Sequence, residues 1–107
     1  MLLRDSPLAQ SDVETANLIM YKCKRHFNIM DISLQDRHKK FVECRRVIIW
    51  FLHKYTDLNL YQMANLLGIS RPTVIHHYKK IVQFIDTNDK DTNDLLNVLS
   101  NQLEQLV

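Results

Sequence analysis

The 107-residue chain contains very few of the residues that interrupt regular structure, with one glycine and two prolines. Folds built from many β-turns need such residues in number, so a sheet-based architecture is disfavoured. A single glycine also cannot form a Walker-type or dinucleotide-binding loop, since each of these loops needs more than one. The composition therefore predicts an all-α protein and excludes the common nucleotide enzymes with glycine-rich loops.

Cysteines and long hydrophobic runs are also scarce. Cys23 and Cys44 both fall on apolar faces of predicted helices, which indicates buried thiols in a reducing compartment. No Cys-x-x-Cys or His-x-x-x-His pair is present, so a zinc site built from these cysteines, His26 and His38 is disfavoured. No hydrophobic run approaches the roughly 18 residues that cross a bilayer, and residues 1–7 lack a signal-peptide pattern. We expect a soluble cytoplasmic protein that has no cofactor, metal or membrane contact.

Residues 60–74 have the pattern of two short helices joined by a tight turn. The first helix has an apolar face with spacings of three and four: Leu60, Met63, Ala64 and Leu67. Asn59 is placed to cap this helix, and Gly68 ends it because glycine accepts a left-handed backbone. Ser70 follows as the N-cap of the second helix, and Pro72 is tolerated in its first turn. This arrangement is typical of a helix-turn-helix that binds DNA.

Apolar periodicity along the whole chain predicts a compact bundle of five to six helices. The first helix is expected to end at Asn28, the recognition helix to cover about residues 71–86, and a polar break to cover residues 87–93. Apolar stripes are predicted at Val13, Ala16, Met20, Cys23 and Phe27, at Cys44, Ile48, Phe51 and Tyr55, and at Leu95, Leu99, Leu103 and Leu106. We expect residues 1–10 to be an irregular lead-in and residues 11–107 to form a single domain.

The charge is unevenly distributed, although the net charge is only +2. Residues 37–80 contain nine basic residues and two acidic ones, a local net charge of +7. Residues 1–36 carry −1 and residues 81–107 carry −4. A basic middle that coincides with the helix-turn-helix indicates a polyanion-binding surface, with acidic ends facing away from it.

Several short runs along the chain match one family in content and order. They are Asn28-Ile29, residues 37–40, Arg45-Arg46, Tyr55-Thr56-Asp57, Leu60, residues 73–76, residues 79–81 and residues 95–100. Together they make residues 11–103 resemble the C-terminal DNA-binding domain (domain IV) of the bacterial chromosomal replication initiator DnaA. The resemblance implies an all-helical domain whose recognition helix enters the major groove. It also implies that the basic loop 37–40 reaches the adjacent minor groove or the DNA backbone.

The chain departs from that family at the turn. The family reads Gly-Gly-Arg-Asp-His-Thr-Thr-Val, whereas residues 68–74 are one residue shorter and read Gly-Ile-Ser-Arg-Pro-Thr-Val. Only Thr73 and Val74 match without ambiguity, so the family's target sequence is not carried over. The shorter run also resembles the helix-turn-helix of many transcription regulators. Because no ATPase domain is present in the sequence, we expect a stand-alone copy of the DNA-binding part.

The predicted DNA contacts lie on the recognition helix and on the basic residues before it. Arg71 is the best candidate for base reading, because its planar fork of donors matches guanine O6 and N7. Arg37 is the candidate for an A·T-rich minor groove, which attracts arginine through its negative potential. The full set is Arg37, Lys39, Lys40, Arg45, Arg46, Ser70, Arg71, Pro72, Thr73, His76, Lys79 and Lys80.

Some of these residues have a second interpretation. The hydroxyls of Ser70 and Thr73 can contact a phosphate or a base, and Ser70 is equally well explained as a helix cap. Pro72 and Ile75 can meet a thymine methyl, although core packing is the other interpretation of Ile75. Arg45 and Arg46 are expected to meet phosphates from the start of a long helix.

The sequence thus predicts a non-enzymatic, sequence-specific binder of double-stranded DNA at a replication origin or operator. No nucleophile, base and orienting group can be assembled, and no small-molecule substrate is expected. One alternative is a helix-turn-helix transcription regulator. Another is a helical bundle that has lost DNA binding and engages a replication protein through its acidic last helix. For the apolar face of the same helix two interpretations stay open: it covers the core of its own chain, or it pairs with a second copy of the chain.

Overall fold

A computed structural model of the protein describes residues 10–30 and 38–104. Within these residues the chain forms five α-helices and no strand, which confirms the predicted all-α bundle. The helices are α1 (Gln10–Phe27), α2 (Lys39–Tyr55), α3 (Leu60–Leu67), α4 (Arg71–Asp86) and α5 (Lys90–Glu104). Arg37, Leu106 and all of the predicted lead-in except Gln10 lie outside the described residues.

Helix α2 is the centre of the bundle. Its side chains at Ile48, Phe51 and Leu52 have no exposed surface, as expected for a helix that is apolar on more than one side. Helices α1, α3 and α4 all pack against α2, and α5 packs against α1 and α4. The Tyr55 hydroxyl ties the end of α2 to α5 through a 3.0 Å hydrogen bond to the Glu104 carboxylate.

The first helix ends where the sequence predicts. Asn28 adopts a left-handed conformation with φ of 57°, and the Ile29 amide donates back to the Lys24 carbonyl over 2.8 Å. Asparagine tolerates this conformation better than most residues, which makes it a good helix stop. Cys23 in α1 and Cys44 in α2 are free thiols with no exposed surface, as their apolar positions predict.

Two predicted boundaries are wrong. Lys39 and Lys40 do not belong to the basic loop 37–40 that the resemblance implies; they form the helix start that is the other interpretation of this run, because α2 begins at Lys39. The polar break after α4 is shorter than residues 87–93, since α5 begins at Lys90. Asp89 explains this early start, because its carboxylate accepts hydrogen bonds from the Thr92 amide at 3.0 Å and the Thr92 hydroxyl at 2.7 Å. None of the helices described here is long and apolar enough to span a bilayer.

Candidate nucleic-acid interface

The helix-turn-helix begins with a capping box at the start of α3. The Asn59 side chain accepts a hydrogen bond from the Gln62 amide at 2.9 Å, and the Gln62 side chain accepts one from the Asn59 amide at 2.8 Å. Met63, Ala64 and Leu67 of this helix are buried in the core. The capping role predicted for Asn59 and the predicted apolar face are therefore confirmed, with Leu60 half-buried at its start.

The turn has the geometry that its sequence predicts. Gly68 is left-handed, with φ of 68° and ψ of 31°, and ends α3. The amides of Gly68 and Ile69 donate back to carbonyls of α3. Ser70 then caps α4, because its hydroxyl accepts a hydrogen bond from the Thr73 amide at 3.3 Å and lies 2.7 Å from the Thr73 hydroxyl. Pro72 occupies the first turn of α4, where its missing N–H has no cost.

Helix α4 covers the predicted recognition-helix residues and has two distinct faces. Val74, His77 and Ile81 form its buried face. The opposite face is exposed and carries the residues Arg71, Pro72, Ile75, His76 and Lys79. This set contains Arg71, the predicted base-reading residue, together with the other predicted contacts Pro72, His76 and Lys79. Ile75 is 38% exposed, so the core-packing interpretation is wrong. Its contact with a thymine methyl stays a prediction.

His77 is a buried polar residue at the contact between α4 and the rest of the bundle. It is 6% exposed, and its Nδ1 atom has no hydrogen-bond partner among the described residues. Burial, followed by electrostatic repulsion from Arg46, His76 and Arg45, lowers the pKa of His77 to about 4. His77 is therefore neutral at pH 7, whereas its neighbour His76 faces solvent.

A second group of cations lies on α2 and on the later turns of α4. Lys39 is 92% exposed at the start of α2 and lies 3.6 Å from the Glu43 carboxylate, a weak surface pair. The Arg46 guanidinium and the Lys80 ammonium lie 5.6 and 5.5 Å from the centre of the same Phe84 ring. The structure thus brings a cation of α2 and a cation of α4 to the ring of Phe84 on α4. Lys40 is exposed next to Lys39.

The expectation for Arg45 needs correction. It lies in the second turn of α2 and is 5% exposed, because α2 begins six residues earlier and turns this position toward the interior. It has too little exposed surface to serve as a phosphate contact in this conformation. Arg46 is half-buried, and its Nε atom has no partner among the described residues. Both arginines were expected at the start of the long helix, and this is wrong, because α2 begins at Lys39 and places them in its second turn.

Sequence reasoning missed Tyr61. Its side chain is 45% exposed at the start of α3, and the guanidinium carbon of Arg71 lies over the ring, 4.1 Å from its centre. The two residues belong to different helices, so helical periodicity does not pair them. The available signal was an aromatic residue outside the predicted apolar face of Leu60, Met63, Ala64 and Leu67.

The described residues offer no group of three or more histidine, cysteine and carboxylate side chains able to hold a metal ion. Burial raises the pKa of Cys44 to about 12, and it raises the pKa of Cys23 as well. Thiols with raised pKa values are poor nucleophiles and poor metal ligands at neutral pH. The exposed face of α4 offers cations and apolar groups for binding.

Comparison with known families agrees with this geometry. A family model described as the bacterial dnaA protein helix-turn-helix matches residues 16–81. The match covers more than half of the chain and includes most of α1, all of α2 and α3, the turn and α4 as far as Ile81. A search of curated proteins found no match.

Proposed function

The chain belongs to the bacterial DnaA helix-turn-helix family of DNA-binding domains, and we propose that it reads duplex sequence with the exposed face of α4. The observation that carries this proposal is the composition of that face. Arg71, Ile75 and Lys79 are exposed on one side of a helix whose other side is fully used by the core. Exposed cations around an apolar side chain suit a major groove, which presents acceptors, thymine methyls and flanking phosphates.

Arg71 is the residue that we assign to base reading. It lies in the first turn of α4, and recognition helices contact bases with their N-terminal residues. Its guanidinium can donate two parallel hydrogen bonds to a guanine. Pro72 and Ile75 are apolar neighbours suited to a thymine methyl, and His76 and Lys79 follow one and two turns later. Thr73 and Ser70 are already engaged in the helix cap, so we assign them to positioning.

Phosphate contacts are assigned to cations that lie outside this face. Lys39, Lys40 and Lys80 carry charge that the core does not require, and Arg46 lies beside Lys80 at Phe84. Such contacts set the register of a protein on DNA without reading its sequence. We assign the minor groove to Arg37, as the resemblance implies. The proposed target is a replication origin or an operator.

The proposal is tested by selecting bound duplexes from a random-sequence pool. We expect an enriched motif, and we expect Arg71→Ala to weaken binding to it by about 1 to 3 kcal/mol while relaxing the preference at one base pair. Arg25→Ala is the matched control, because Arg25 is an exposed arginine on α1, which packs against α2 and α5. This control should leave the motif and its affinity unchanged.

Salt dependence separates this function from that of a protein-interaction bundle. Binding through phosphates weakens steeply as salt concentration rises, with a slope that reports the number of phosphates neutralised. Lys39→Ala and Lys40→Ala should weaken selected and random duplexes alike and reduce the slope by about one each. A pool without an enriched motif, or an Arg71→Ala variant that loses equal affinity for every sequence, would contradict the proposed readout.

A further inference from the structure

The contact between Tyr61 and Arg71 is unusually close for this protein. The Arg71 guanidinium carbon is 4.1 Å from the ring centre, whereas the other pairs of a cation and an aromatic ring in residues 10–30 and 38–104 span 5.2 to 6.0 Å. A separation near 4 Å places the guanidinium against the ring face, where the ring quadrupole attracts a cation. The contact joins the first turn of α3 to the first turn of α4.

Tyr61 lies on a fixed part of the molecule. It lies between Asn59 and Gln62, whose reciprocal hydrogen bonds lock the start of α3. Two residues later the helix is anchored in the core by Met63, which is 5% exposed. The ring itself remains 45% exposed, so it is not needed to fill the core. A large aromatic side chain on a rigid helix start is well suited to serve as a support.

Arg71 needs such a support if it reads a base. Arginine has four rotatable side-chain bonds and loses about 2 kcal/mol of rotamer entropy when it is held in one conformation. No carboxylate pairs with Arg71 among the described residues to restrict it. Stacking uses the face of the guanidinium and leaves its N–H donors free in the plane, which are the groups that contact guanine O6 and N7.

We propose that Tyr61 is a specificity-determining positioning residue, whose ring holds Arg71 in the orientation that reads a guanine in the major groove. This inference rests on the proposed function and adds the residue on which its discrimination depends. Tyr61 acts through Arg71 and through its ring face. Its hydroxyl is not required for this role.

The test measures the affinity of Tyr61→Leu and Tyr61→Phe for two kinds of duplex. One is the selected duplex, and the other is altered at the base pair where Arg71→Ala relaxes the sequence preference. Tyr61→Leu should reduce discrimination at that base pair by about two- to fivefold, the range expected for an exposed cation–π contact. Tyr61→Phe should keep it, because the ring face is preserved. In the Arg71→Ala background, Tyr61→Leu should cause no further loss of discrimination.

A matched control is available on α1, where Tyr21 and Arg25 form a second exposed tyrosine–arginine pair, with the Arg25 guanidinium carbon 6.0 Å from the ring centre. Tyr21→Leu should leave discrimination unchanged. Melting temperatures of all variants are compared, because a merely structural role would lower stability without changing the base preference. Loss of stability with full discrimination in Tyr61→Leu would overturn the proposal.

The stack is also measured in the free protein by NMR. The side-chain δ protons of Arg71 should be shifted upfield by the Tyr61 ring and should move to ordinary values in Tyr61→Leu, but not in Tyr21→Leu. Unshifted protons in the wild type would overturn the proposal whether or not DNA binds. Equal loss of discrimination in Tyr61→Phe and Tyr61→Leu would also overturn it, since the hydroxyl would then be responsible.

Failure of this inference is distinguishable from failure of the proposed function. A pool without an enriched duplex overturns the proposed function and the role of Tyr61 with it. An enriched duplex whose discrimination depends on Arg71 but is untouched in Tyr61→Leu overturns only the role of Tyr61.

Discussion

On one side of α4, Val74, His77 and Ile81 are buried among neighbouring helices; on the other side, Ile75 and Lys79 face solvent. Both sides belong to one continuous helix, so backbone propensity does not distinguish them. The buried side is explained by what it packs against. The exposed side is not explained by packing, and it is the side that we propose contacts DNA.

The largest expected difference between the two sides is in core packing. Ile81 is 2% exposed and Ile75 is 38% exposed, so the same substitution can be made in both environments on one helix. Ile81→Ala should lower the free energy of unfolding by about 2 to 5 kcal/mol, because it removes buried methyl groups and leaves a cavity. Ile75→Ala should stay within about 0.5 kcal/mol of the wild type. Urea denaturation measures both, and equal losses would contradict the assignment of faces.

The next effect concerns the two adjacent histidines. Because the folded-state pKa of His77 is about 4, below the usual 6.5, the unfolded chain takes up a proton first on acidification. Stability should therefore fall as pH drops from about 6.5 toward 4, with a contribution of about 2 kcal/mol between pH 7 and 5. Urea midpoints across this range measure the slope.

Substitution assigns that slope to one residue. His77→Leu should lose this part of the pH dependence, whatever its baseline stability. His76→Gln removes the exposed neighbour and should retain it. A slope that disappears in His76→Gln and persists in His77→Leu would show that the buried side of α4 does not exclude the proton.

The smallest effect is expected at Ser70, which belongs to neither face because it caps the start of α4. Ser70→Ala should cost about 1 kcal/mol of stability, since the Thr73 amide loses its acceptor. Ser70→Asn should restore stability, because asparagine is an equally good N-cap. Thermal melting measures the cap, and duplex binding is measured in parallel. If Ser70→Asn restores stability but not binding, Ser70 also contacts DNA.

Most of the helix-turn-helix was predictable because its signals are local. Gly68 and Ser70 act on the backbone within a few residues, so their roles can be recognised without knowledge of distant parts of the chain. The bounds of α4 follow from the cap at Ser70 and from the periodic stripe that includes Val74 and Ile81.

The residues that were misjudged depend on tertiary structure. Lys39 and Lys40 were assigned to a basic loop through the family resemblance, yet they open a helix whose stability comes from the packing of its later turns. The inward direction of Arg45 depends on the true start of that helix. Tyr61 and Arg71 are ten residues apart in separate helices, and only the turn geometry brings them together.

The capping box, the hydrogen bonds around the left-handed glycine and the Ser70 cap lie within residues 59–73. The local geometry of the turn is therefore specified by one contiguous stretch of sequence, while α2 packs against both α3 and α4. Such a stretch is portable. When it is grafted onto another pair of helices that has an apolar site for Met63 and Leu67, we expect the turn to keep its conformation. The exposed residues of the second helix could then be exchanged without changing the turn.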